Sequence, residues 1–129
     1  MGQQQLLLII LGVIIVGVAI AVGISMFSGQ SIAANRDAII MDLSTLGSDV
    51  YQFKIRPTSM GGGNGTYAGY TIATNSAWGT GNPNATYSVT TQTTSQLVLT
   101  ATSKQVNGAT VTMTYDGNGN ASAPVSSGF

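Results

Sequence analysis

Leu6–Phe27 reads LLLIILGVIIVGVAIAVGISMF, 22 consecutive residues whose only polar side chain is Ser25. As an α-helix this run rises about 33 Å, slightly more than the ~30 Å hydrocarbon core of a bilayer. In lipid the backbone must satisfy its own hydrogen bonds, so helix is expected despite the many β-branched Ile and Val. Ala19-Ile20-Ala21 offers an A-x-A-like cleavage site. A cleaved secretory signal is nevertheless disfavoured, because no basic residue precedes the run and it exceeds the usual apolar length of about 7–15 residues. A plain membrane anchor fits the same stretch equally well. Small residues recur at Gly12, Gly17, Ala19, Ala21 and Gly23, including the pairs Gly17/Ala21 and Ala19/Gly23 at small-xxx-small spacing. Helices that share an apolar environment approach closely through such positions.

The rest of the composition narrows the function classes. Among 129 residues there is no cysteine, histidine or glutamate, which excludes disulfides, thiol and imidazole chemistry and the usual zinc sites. Charged residues make up 6% of the chain, against about 25% in an ordinary soluble domain. Arg36, Lys54, Arg56 and Lys104 balance Asp37, Asp42, Asp49 and Asp116, so no basic field exists to attract nucleic acid. Neither an enzyme nor a cofactor-binding protein is expected. Asp42 and Asp49 stand seven residues apart on a predicted helix, too far for an acid/base pair, and read as a solvated face.

Beyond Phe27 the pattern changes without a helix breaker. Ile39, Leu43, Leu46, Val50 and Phe53 follow 4-3-4-3 spacing, with Ile32 seven residues before Ile39. This is the stripe of an amphipathic helix. Its polar positions carry Asn35, Arg36, Asp37, Asp42, Ser44, Asp49, Gln52 and Lys54, while Gly29 and Gly47 are weak points and Pro57 supplies the stop. One helix from about Gln3 to Arg56 is expected: apolar all round over 1–27, then amphipathic over 28–56 and packed on the C-terminal part.

This arrangement resembles the type IV pilin-like subunits, in which a hydrophobic N-terminal helix first lies in the membrane and then bundles with its copies in a filament core. The best-known bacterial pilins carry a glutamate just inside the mature N-terminus, in a stretch like FTLIE. Here the stretch reads MGQQQ, and the equivalent position is Gln5 if Met1 is the mature start, or Leu7 if cleavage follows Gly2. Archaeal pilins and some bacterial relatives also lack that glutamate. The resemblance implies a homopolymer, a prepilin-type peptidase and an assembly machinery as partners, and a precursor held in the cytoplasmic membrane. It places filament-core packing on Leu6, Ile10, Gly12, Gly17, Ala19, Ala21 and Gly23. Gln3, Gln4 and Gln5 would then set register by hydrogen bonds rather than by charge.

The C-terminal part reads as a small antiparallel β-rich head, giving an α+β fold. Thr58–Thr66 (TSMGGGNGT), within a connector over 57–66, is followed by no helix that would make it a phosphate-cradling loop, so a flexible linker is expected. Strands are expected around 67–74, 86–94, 96–105 and 109–116, with Asn107-Gly108 as the strongest hairpin signal. Val111, Met113 and Tyr115 alternate with Thr110, Thr112 and Thr114, which predicts one face on the helix stripe and one threonine face. Asp116–Asn120 (DGNGN) lacks the glycine and closing carboxylate of a calcium loop and reads as a tight turn. Asn64, Asn84 and Asn120 each begin an N-glycosylation acceptor triplet. The function expected is a structural filament subunit on the cell surface. A single-pass tethered binding module and a minor or priming pilin are the alternatives.

Overall fold

In the computed structural model, residues 2–72, 78, 79 and 81–129 are described. The fold is α+β: one long apolar N-terminal helix, α1 (Gly2–Ile55), a 3-10 turn (Thr58–Met60), and a four-stranded antiparallel sheet. Its strands are β1 (Ala85–Gln92), β2 (Leu97–Ser103), β3 (Thr110–Tyr115) and β4 (Val125–Ser127), in the order β1-β2-β3-β4. Contacts divide the chain into two units, Met1–Ile32 and Ala33–Phe129.

In the second unit, the C-terminal part of α1 lies on the sheet. Ile39, Leu43, Leu46 and Val50 are fully buried among Leu97, Leu99, Ala101, Val111 and Met113, while Phe53 is half-buried and meets Tyr70 edge-on at 5.3 Å. Two positions outside the apolar stripe join them. Asn35, counted by the sequence on the polar side, is buried: its Nδ2 donates to Asn84 O at 3.3 Å and its Oδ1 accepts from Ser103 Oγ at 2.6 Å. Gly47, a weak point by helix propensity, is a contact by necessity, since a Cβ there would overlap the Tyr115 ring. The Tyr115 hydroxyl crosses Gly47 to donate to Leu43 O at 2.8 Å.

The sheet register explains the two faces. Leu99 pairs with Val89 on one side and Met113 on the other, and Ala101 pairs with Tyr87 and Val111; the side chains of this set turn toward α1. The alternate rows bring Thr86, Thr102 and Thr110 together, and Ser88, Thr100 and Thr112, making a hydroxyl-rich outer face. Period-two alternation enforces this division once one face is buried.

Two expectations need correction. First, Tyr67–Ile72 is not a strand, and 73 and 74 lie outside the described residues. Gly69 takes φ 86° and Tyr70 N donates to Tyr67 O at 3.1 Å, so the chain turns and buries both tyrosines from one side. Second, the glycine-rich segment is not a flexible linker. It folds back on the end of α1, where Gly63 N donates to Phe53 O at 2.8 Å, Gly65 N to Lys54 O at 2.6 Å and Asn64 N to Arg56 O at 2.9 Å. These bonds satisfy carbonyls that a helix C-terminus leaves without partners. A Cβ at Gly62 would overlap Arg56 O, and one at Gly63 would overlap Thr66 O, which is why the segment is glycine. The Asn107-Gly108 hairpin forms where expected: Val106–Ala109 closes the β2–β3 hairpin with positive φ at Gly108, inside a connection from Lys104 to Ala109. The short β4 is not among the expected strands: Val125-Ser126-Ser127 carries no hydrophobic alternation and shows itself only through its pairing with Thr110–Thr112.

Candidate assembly surface and the anchors of the head

Among its described residues, the first unit consists of helix alone. Sixteen large apolar side chains between Leu6 and Phe27 are each more than half exposed, from Val22 at 53% to Phe27 at 76%. Burying one such side chain is worth about 1.5–3 kcal/mol, so their exposure to water costs on the order of 20 kcal/mol or more. That exceeds the whole stability of a typical domain, about 5–15 kcal/mol. The segment is long and apolar enough to cross a membrane, and is compatible with membrane association.

At 100° per residue the sequence-selected positions fall on two sides of this helix. Leu6, Ile10, Gly17 and Ala21 share one side. Gly12, Ala19 and Gly23 share another, roughly 160° round. Nothing lies within 4 Å of a Cβ built at Gly12, Gly17 or Gly23, so both sides are free for close approach. Between them runs a shallow apolar groove lined by Ile9, Gly12, Val13, Val16, Gly17 and Ile20. The pattern of small residues does not single out Ile9, Val13, Val16 and Ile20, although their own 4-3-4 spacing marks one face. Gln3, Gln4 and Gln5 are exposed in the first turns of α1, spread around its circumference.

In the second unit the carboxylates are anchors. Asp42 Oδ2 accepts from Tyr87 Oη at 2.5 Å, Asn82 Nδ2 at 2.7 Å and Asn84 Nδ2 at 3.3 Å. Asn82 Oδ1 in turn accepts from the backbone N–H groups of Asn84 and Ala85, fixing the entry to β1. The solvated-face reading therefore fails for Asp42. Asp49 is exposed, yet its Oδ2 accepts from Tyr70 Oη at 2.9 Å. Burial, reinforced by the hydrogen bonds to Asp49 and Asp42, pushes the Tyr70 and Tyr87 phenols far above their ordinary range. Burial, with Tyr67 nearby as a lesser cause, raises Tyr115 to about 12.

The turn Asp116–Asn120 is closed internally. Asp116 Oδ1 accepts from Asn118 N and Asn120 N, both at 2.9 Å, and Gly119 N donates to Asp116 O. The backbone N–H of Asn120 is the main cause holding the Asp116 carboxyl below its usual range. Lys54 donates to Gly117 O and lies 5.1 Å above the Tyr67 ring, whose hydroxyl donates to Asp116 O at 2.5 Å. Among the described residues, no group of three or more metal-ligating side chains occurs. No protein-family model, curated protein or solved structure matches this chain.

Proposed function

We propose that this chain is the structural subunit of an extracellular type IV pilus-like filament, acting by assembly rather than by catalysis. The observation that supports this most is in the first unit: a helix whose run Leu6–Phe27 is apolar all round but for Ser25, with small residues on two nearly opposite sides. Anchorage in lipid requires only the apolar length. Two sides open to close approach suit a helix that touches copies of itself on more than one flank. In this reading the precursor waits in the cytoplasmic membrane through Leu6–Phe27. An assembly machinery then transfers it to the filament base, where helix–helix packing replaces lipid contact. The head, with only Lys104 and Asp116 charged between Pro57 and Phe129, offers little repulsion to neighbouring copies.

Ala19→Trp places an indole on one of the two sides while keeping the segment apolar. The expected outcome is loss of filaments with the protein retained in the membrane fraction. Filaments of normal yield and diameter would overturn the packing claim, whereas failure of the unmutated chain to form any filament would favour the tethered binding module.

A further inference from the structure

The three acceptor triplets, Asn64-Gly65-Thr66, Asn84-Ala85-Thr86 and Asn120-Ala121-Ser122, all match the acceptor pattern and are unlike in the fold. Asn84 is held at the centre of the second unit's polar anchor. Its Nδ2 donates to Asp42 Oδ2, its backbone N–H donates to Asn82 Oδ1, and its carbonyl accepts from both Asn35 and Lys104 N. A sugar on Nδ2 would have to occupy the space where Asp42, Asn82 and Tyr87 converge. Asn120 is exposed, but its backbone N–H donates to Asp116 Oδ1 and its carbonyl accepts from Asp116 N, which ties it into the closed turn, and Ser122 Oγ accepts from Thr114 N. Asn64 differs from both. It is exposed, stands at φ 50° at the apex of the glycine-rich cap, and commits only its backbone N–H, to Arg56 O. Its side-chain amide has no partner among the described residues, and Thr66 Oγ1 of the same triplet, which accepts from Ala68 N, keeps its own proton free to donate.

We infer that Asn64 is the N-glycosylation site of this chain, that Asn84 is unmodified, and that Asn120 is occupied less than Asn64. The co-reactant is an oligosaccharide carried on a lipid phosphate. The sugar C1–O bond to phosphate breaks and a C1–Nδ2 bond forms at Asn64. The amide gives up one proton to water, and the lipid phosphate leaves with the electron pair of the broken C1–O bond. The inference rests on the proposed function only in requiring the head to lie outside the cytoplasm. The cap tolerates the modification, because it is held by backbone bonds that a glycan on Nδ2 leaves intact.

Peptide mapping by mass spectrometry, on the full-length protein purified from its own cells, tests the assignment. The expected result is a glycan mass on the peptide containing Asn64, none on Asn84, and lower occupancy at Asn120. Asn64→Asp, which keeps the turn-compatible side-chain shape, should remove the Asn64 mass entirely, and Thr66→Ser should retain it. A glycan at Asn84, or an unmodified Asn64, overturns the assignment. Unmodified filaments would sink this inference and leave the filament reading standing. Glycosylated Asn64 on protein found only as membrane monomers would do the reverse.

Discussion

Asp42 shows how one side chain can tie the head to the helix. Three donors from two elements converge on a single oxygen, and removing it strands a phenol and two amides in a partly buried site. Leaving a donor without its charged acceptor costs about 1.5–3 kcal/mol. Asp42→Ala is therefore expected to lower the melting temperature of the sheet signal by roughly 10–20 °C in detergent-solubilised full-length protein, followed by circular dichroism. An unchanged midpoint would mean the cluster carries no net stability. Gly47 gives a second residue-scale test. Gly47→Ala gains up to about 1 kcal/mol of helix propensity. It also forces the Tyr115 ring off the helix, for a net loss of about 1–3 kcal/mol from overpacking. Gly29→Ala, where nothing lies within 4 Å, should instead be neutral or stabilising by up to about 1 kcal/mol.

Between elements, the tyrosines make the seam between α1 and the sheet sensitive to base. Tyr67, Tyr70, Tyr87 and Tyr115 all hold their protons more tightly in the folded chain, first because of burial. An unfolded phenol titrates near about 10, so above that pH the folded chain binds more protons than the unfolded one and stability falls. The seam's contribution is complete below pH ~10 and should be lost as pH rises toward about 12, the value for Tyr115. Thermal melts at stepped pH would show this, and a midpoint flat from pH 9 to 12 would contradict it. Asp116 acts at the acid end: its lowered pKa means stability that is present above about pH 4 and lost as pH falls below it.

The same elements show what a sequence can reveal. The α+β layout is legible because two periodicities, 3.6 in Ile39–Phe53 and 2 in Thr110–Tyr115, are enforced by burial of one face. The tyrosine and asparagine anchors are not, because polar residues on a helix look solvent-facing until a partner from Tyr67–Tyr87 arrives from far along the chain. Asn35 meets Ser103 across 68 positions, and no local pattern encodes that. The glycine-rich cap is hard to read for a related reason. Composition reports backbone freedom, while the positions of Phe53 O, Lys54 O and Arg56 O decide what that freedom is used for. Of the proposed assembly surface, the small residues are legible. The Ile9, Val13, Val16 and Ile20 face is hidden because every residue around it is also apolar.

At the scale of the whole molecule, the chain joins a unit that can stand in water to a segment that cannot. The second unit has a closed core and a satisfied helix end, whereas the first leaves sixteen large apolar side chains without cover. Lipid would relieve this, and so would the identical helices proposed above, and the two can be told apart directly. The decisive measurement is cryo-electron microscopy of material sheared from the surface of cells that express the protein. The account predicts filaments whose core is made of helices spanning Leu6–Phe27 from many copies, in contact through the sides marked by Gly12/Ala19/Gly23 and Gly17/Ala21. Recovery of the protein solely as detergent-extracted monomers, with that segment in a micelle or bilayer and no polymer in the sheared fraction, would contradict it.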